Sequence, residues 1–259
     1  MIDDRAYRGF KSAEAYDACR PSYPPAAVTF IREAAGIDER STVVDLAAGT
    51  GLMTRLLSPA GRLVAIEPVA EMRALLQDRV PEAEVLEGTA ERMPLPAAVA
   101  DAVIVAQAFH WFANLQAVRE ISRVLKPEGA LALVWNESDP RDPLLAAIDK
   151  ALAPYRLDSP RSSNTPWRDV LSTDDSPLVI TRHMTVASEE ELTFGLLKGR
   201  VRSYSYIAVL GGPAQATVMD VLDAAARSVH RAAMADDAKL VVRHLTEVYI
   251  ARHRYARQI

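Results

Sequence analysis

Five short, almost unbroken apolar runs between residues 25 and 136 restrict this chain more than any other feature. They are Thr42-Val43-Val44-Asp45-Leu46, Arg62-Leu63-Val64-Ala65-Ile66-Glu67, Ala83-Glu84-Val85-Leu86-Glu87, Asp101-Ala102-Val103-Ile104-Val105-Ala106 and Ala130-Leu131-Ala132-Leu133-Val134-Trp135. A strand with one wet face alternates apolar and polar residues, whereas a run that is apolar throughout needs cover on both faces, as parallel strands have. Helical segments separate the runs. Leu115, Val118, Ile121 and Leu125 recur at helical spacing, and Lys126-Pro127-Glu128-Gly129 stops that helix. Strands alternating with helices make βαβ units, so the expected fold is α/β, a doubly wound, mostly parallel sheet.

Beyond Asn136 the rhythm fails. Asp139-Pro140, Asp142-Pro143, Ser159-Pro160 and Thr165-Pro166 are turn chemistry around one helix at 144–152, and such an irregular insertion in a compact domain is usually a lid or binding loop. Afterwards 179–186 reads as a strand, 188–198 as a helix, 218–229 as an amphipathic helix and 240–250 as a final strand, although its length would also allow a helix. With the five runs, the two later strands bring the sheet to seven.

At 49% apolar and 25% charged the chain has the composition of a packed domain rather than a disordered one. A net charge of −4 argues against nucleic acid as partner. The basic residues are 25 Arg and 5 Lys, so a single arginine says little about anion recognition. The longest nearly apolar stretch, 97–109, is broken by Asp101 and too short to span a membrane. Met1-Ile2-Asp3-Asp4-Arg5 has no leader-like apolar segment. Cys19 has no partner for an internal disulfide, and no Cys/His cluster has zinc spacing, so no metal is expected. A cytoplasmic protein, monomer or homodimer, without membrane or nucleic-acid partner, is the expectation.

The chemistry concentrates where the first strand enters Ala47-Ala48-Gly49-Thr50-Gly51-Leu52. A turn poor in side chains lets a ligand approach backbone N–H groups at a helix start. A dinucleotide fingerprint needs a small residue where Thr54 stands, which disfavours NAD, and the Gly-Lys-Ser/Thr of a phosphate loop is absent. Glu67, 22 residues after Asp45, ends the second run, where an acid can accept from both ribose hydroxyls.

Together these residues resemble the class I S-adenosylmethionine (SAM)-dependent methyltransferases, in the branch related to trans-aconitate methyltransferases and other type 11 small-molecule enzymes. Tyr16-Asp17-Ala18-Cys19-Arg20-Pro21-Ser22-Tyr23-Pro24 is similar to that branch's N-terminal lid, and Gly88-Thr89-Ala90-Glu91-Arg92-Met93-Pro94-Leu95-Pro96 to its adenine-side loop. Ala106-Gln107-Ala108-Phe109-His110-Trp111-Phe112 is similar to its fourth-strand motif, and 120–136 to its fifth-strand unit. The likeness covers 16–136 well and the rest in outline. It implies a Rossmann-like methyltransferase domain over 1–259, divided into a lid (1–30), a cofactor-binding half (31–136), a cap insertion (137–176) and C-terminal strands and helices (177–259).

The resemblance further implies SAM as cofactor, S-adenosylhomocysteine as product and a small-molecule acceptor. Cofactor contacts are expected from Tyr16, Arg20, Asp45, Ala47, Gly49, Thr50, Gly51, Glu67, Pro68, Thr89, Ala90, Glu91 and Gln107. Ala47 replaces the family's first motif glycine, and Thr89 an adenine-side Asp. Methyl transfer is an in-line displacement in which the protein chiefly positions donor and acceptor. His110 is the candidate catalytic base, with pocket shaping and core packing as alternatives. Acceptor contacts are expected from His110, Trp111, Trp135, Tyr155, Trp167, Arg202 and Tyr204. The acceptor atom is expected to be oxygen, of a carboxylate, already ionised at neutral pH, or of a hydroxyl, with a carbon acceptor as the open alternative. A SAM-binding protein that does not methylate is the alternative.

Overall fold

The computed structural model describes residues 17–156, 159–230 and 233–254. The seven strands are β1 (Thr42–Leu46), β2 (Arg62–Ile66), β3 (Glu84–Leu86), β4 (Ala100–Ala106), β5 (Leu125–Ser138), β6 (Leu178–Thr193) and β7 (Lys239–His253). They form one sheet in the order β3-β2-β1-β4-β5-β7-β6. The pairings among β1 to β5 are parallel, with Asp45 level with Ala65 on one side and Ile104 on the other. Thr181 Oγ1 reaches the Ile250 carbonyl while His183 reaches Glu247, so β6 and β7 run in opposite directions.

The apolar runs are double-faced, and side chains at alternate positions enter separate cores. Val44, Leu46, Val64, Ile66, Val103, Val105, Leu131 and Leu133 pack in one; Val43, Leu63, Ala65, Ala102, Ile104, Ala130 and Ala132 pack in the other. The period of two is hidden because both faces are apolar. Asn114 starts the helix Leu115–Val124 by accepting from the Ala117 N–H at 2.9 Å.

The chain divides into two compact units. One comprises Ser22–Trp135, Pro160–Val186 and Thr246–Ile259; the other comprises Met1–Pro21, Asn136–Ser159 and Ala187–Leu245. The boundary falls inside the expected insertion 137–176, whose first part carries the helix Pro143–Leu152 and whose second carries the helix Trp167–Ser172. Among the described residues no helix is long and apolar enough to cross a membrane.

Two local expectations need correcting. The stop at Lys126–Gly129 is already strand: the helix ends at Val124, and Leu125 pairs with Ala100 before the register shifts. Glycine suits position 129, since a Cβ would crowd the Ala100 carbonyl oxygen at 3.0 Å. The helix expected over 188–198 starts only at Phe194, capped by Thr193, while 188–193 continue β6. Glu189-Glu190-Glu191 favour a helix locally, but the place of β6 beside β7 in the sheet overrides propensity.

Candidate active site

The strand order reverses between β1 and β4, the position where open α/β sheets form a crevice at the carboxyl ends of their strands. The register brings Ala47, Glu67 and Gln107 to this edge, each directly following β1, β2 or β4. Ala47 and Gln107 both have φ of 58°, and Gly49 and Gly51 have φ of 57° and 84°. For alanine or glutamine such a backbone is strained by roughly 1–3 kcal/mol, and strain of this kind collects at functional sites. A Cβ on Gly51 would meet Leu76 and Val80 at 3.1 Å, whereas one on Gly49 would meet nothing within 4 Å. The second glycine therefore serves packing as well as conformation, and the first leaves open space where a side chain would stand.

Glu67 is buried and held by the turn. Its Oε2 accepts from the Gly49 N–H and its Oε1 from the Val69 N–H, both at 2.9 Å. Burial pushes the carboxyl above its usual range, and the two N–H bonds oppose that. A carboxylate has about four acceptor positions, so two remain for a ligand. Sequence reasoning missed Arg73, which donates to the carbonyls of Glu67 and Pro68 at 2.9 and 2.7 Å and pairs with Glu87 at 2.7 Å.

Asp45, 1% exposed, accepts from Thr54 Oγ1 at 2.6 Å through Oδ2. Its Oδ1 is buried without a hydrogen-bond partner. Burial raises its pKa to about 7, against the Thr54 bond and with help from the negative charge of Glu67. Thr54, read from the sequence only as a departure from a dinucleotide motif, thus orients this acid. A Ser or Thr one turn into the helix was the available signal.

The Gly88–Pro96 loop lies against the end of β2, since a Cβ on Gly88 would sit 2.9 Å from Ile66. Thr89 and Arg92 exchange backbone hydrogen bonds, Ala90 is buried, and Glu91 accepts from Asn114 Nδ2 at 3.1 Å. Pro68 and Thr50 follow Glu67 and Gly49 at the same edge.

After Gln107, whose N–H donates to the Val134 carbonyl at 2.8 Å, a short 3-10 turn Phe109–Trp111 carries His110 and Trp111. His110 Nδ1 accepts from the indole N–H of Trp135 at 3.1 Å. Burial lowers the His110 pKa to about 4. Trp111 is half-buried beside it, with ring centroids 5.4 Å apart. Trp135 and Trp167 are 2% and 1% exposed and stack at 4.5 Å, with Tyr249 edge-on to both, so these indoles lie in the core.

Arg20, Tyr155, Arg202 and Tyr204 belong to the other unit. Arg20 donates to the Ser203 carbonyl at 3.1 Å and lies 5.3 Å over the Tyr204 ring. Tyr155 is half-buried and Arg202 exposed. Buried Arg200 was not foreseen. It donates to the Cys19 carbonyl at 2.7 Å and to both oxygens of Glu190 at 2.8 and 2.6 Å. His244 meets Glu190 at 2.9 Å. Burial works against ionised Glu190, but the His244 and Arg200 bonds hold its pKa at about 2. Tyr16 lies outside the described residues.

With this geometry in view, residues 44–133 match the methyltransferase domain family. An uncharacterized methyltransferase-like protein of Schizosaccharomyces pombe is 34% identical over 243 residues, covering 93% of this chain and 94% of its own. The chain belongs to the class I SAM-dependent methyltransferases. An uncharacterized methyltransferase of Mycobacterium tuberculosis is 46% identical to this methyltransferase over 128 residues, 49% of this chain and 51% of its own. In fold, this methyltransferase is similar to a candidate type II methyltransferase from Anaeromyxobacter dehalogenans, with a TM-score of 0.67 at 22% identity over 90% of this chain and 97% of the other. The aligned segment 44–133 begins within β1 and ends within β5, so it contains the Gly turn, Glu67, the Thr89 loop and His110.

Proposed function

We propose that this methyltransferase binds SAM at the carboxyl ends of β1, β2 and β4 and methylates an oxygen of a small molecule. The observation that carries the proposal is Glu67, a buried carboxylate locked by the Gly49 and Val69 N–H groups with acceptor positions to spare. Those positions suit the two hydroxyls of a ribose. The orphaned Oδ1 of Asp45 suits an ammonium group, because a buried carboxylate oxygen gains most from a charged donor. Ala47, Gly49, Thr50 and Gly51 would lie along the amino-acid portion. Pro68, Thr89, Ala90 and Glu91 would line the base, and Gln107 would close the β4 side. Arg20, with Tyr16, would pair with the carboxylate of the methionine end.

When bound, SAM supplies an electrophilic methyl that passes by in-line displacement, its S–C bond breaking as the acceptor O–C bond forms. The protein's share is to hold the partners in line and keep water out. His110, with a pKa near 4 and Nδ1 occupied by Trp135, is a poor base at neutral pH. A carboxylate acceptor needs none, having a reference pKa of about 4. A carboxylate is therefore favoured over a hydroxyl. His110 and Trp111 would meet the acceptor directly, and Trp135 would act through His110. Arg202, Tyr204 and Tyr155 remain acceptor contacts on the family resemblance alone, whereas Trp167 belongs to the core that supports Trp135.

Calorimetric titration with S-adenosylhomocysteine tests the cofactor site, and binding in the micromolar range is expected. Transfer of labelled methyl from SAM across a panel of carboxylic acids, phenols and enolisable carbon acids tests the acceptor. Methyl esters among the products support the proposal; exclusive carbon methylation overturns it.

A further inference from the structure

We propose that Trp135 holds His110 as the neutral Nε2–H tautomer, making the ring a standing hydrogen-bond donor rather than a base. The geometry leaves little freedom. An indole N–H can only donate, so the nitrogen facing it, His110 Nδ1, must carry a lone pair. A neutral imidazole with an unprotonated Nδ1 has its proton on Nε2.

The donor is itself fixed. Trp135 is 2% exposed, stacks on Trp167 at 4.5 Å with 32° between the planes, and has Tyr249 edge-on at 6.2 Å. Trp167 is anchored in turn by its own N–H, which donates to the Ser162 carbonyl at 3.1 Å. Rotating Trp135 to free His110 would break this packing. The rings against His110 are the uncharged indoles of Trp111 and Trp135, and burial alone depresses its protonation. Among the described residues no carboxylate contributes to that shift.

Two consequences follow. Trp135 is a positioning residue, acting on the reaction only through His110. Resting on the methyltransferase function above, the Nε2–H can hold one oxygen of a carboxylate while the other is methylated. Acceptors with a lone pair beside the reacting atom are then preferred over simple alcohols.

The test is nuclear magnetic resonance on the intact, histidine- and tryptophan-¹⁵N-labelled protein with S-adenosylhomocysteine, with His110 assigned by loss of its signals in His110→Gln. The expected result is an unprotonated Nδ1, a protonated Nε2, a scalar coupling from Trp135 Nε1 across the hydrogen bond, and no change from pH 8 to pH 5. In Trp135→Phe the Nδ1–H form should become populated and the pH-independence be lost below pH 6. A wild-type Nδ1–H tautomer, or an imidazolium at pH 7, overturns the proposal without any variant. Calorimetry on the same sample separates the two ideas. Tight S-adenosylhomocysteine binding with the wrong tautomer sinks this inference alone, whereas the right tautomer without binding sinks the cofactor assignment alone.

Discussion

The two units hold their polar groups in different ways. At the ends of β1 and β2 the partners are near neighbours in sequence: Thr54 lies 9 residues from Asp45 and Gly49 lies 18 from Glu67. In the other unit they come from far away, with Arg200 181 residues from Cys19 and Arg20 183 from Ser203. The first arrangement is one strand–turn–helix unit with the next strand beside it, and it recurs wherever that unit is built. The second exists only once the N-terminal segment, β6 and the helix Phe194–Arg202 have docked. A local device can therefore carry the proposed cofactor, while a long-range one ties the segment around Cys19 and Arg20 to its support.

The comparison is most sharply broken at Glu67. Replacing it by Ala removes the acceptor for two backbone N–H groups and for the proposed ribose hydroxyls. Hydrogen bonds to charged groups contribute about 1.5–3 kcal/mol each, so S-adenosylhomocysteine affinity should fall by about 100-fold or more. Calorimetry that finds unchanged affinity would remove Glu67 from the site.

Arg200→Met should act on stability instead. Removing one member of a buried pair costs about 3–5 kcal/mol at most, and His244 keeps one bond to Glu190, so about 2–3 kcal/mol is expected. Thermal unfolding should shift down by several degrees, with a smaller loss of S-adenosylhomocysteine affinity than Glu67→Ala produces. Because the folded pKa of Glu190 is depressed to about 2 from 4.5, its stabilisation is complete above pH 4.5 and is lost as pH falls towards 2. Wild-type acid unfolding should show that window, and Arg200→Met should narrow it.

Asp45 runs the other way. Its folded pKa of about 7 lies above the reference 3.8, so its contribution is most favourable below pH 3.8 and declines as pH rises towards 7. A ligand ammonium would favour the charged form, and S-adenosylhomocysteine binding should strengthen between pH 6 and 8. The pH-dependence should flatten in Asp45→Asn; an unaltered profile would mean that Asp45 only organises the turn.

The smallest effect is expected at Ala47. Its φ of 58° is available to glycine without the Cβ clash, so Ala47→Gly should gain about 1 kcal/mol, less the extra chain entropy of glycine. A melting temperature that falls would show that alanine is unstrained there.

Much of the larger unit could be read from the amino-acid order. The double-sided runs predict β1 to β5, and the spacing from Asp45 to Glu67 puts an acid at the end of the strand that follows the glycine turn. Ala47 could be flagged as standing at a glycine position before its φ was known. The failures have a common cause. The segment 188–193 looked helical because propensity is a local quantity, and it is strand because β6 lies beside β7 in the sheet. Trp135 and Trp167 looked like ligand platforms because aromatic residues beside a loop carry no mark of burial.

By itself, then, the sequence determined the α/β class, the mostly parallel character of the sheet and the residues at the strand ends, since patterning and turn chemistry act over a few residues. Tertiary structure alone decided that the Cys19 carbonyl rests on Arg200 and that the proton of His110 belongs on Nε2. Each depends on one group meeting another across at least 25 residues, a relation set by packing rather than by any neighbour in the chain.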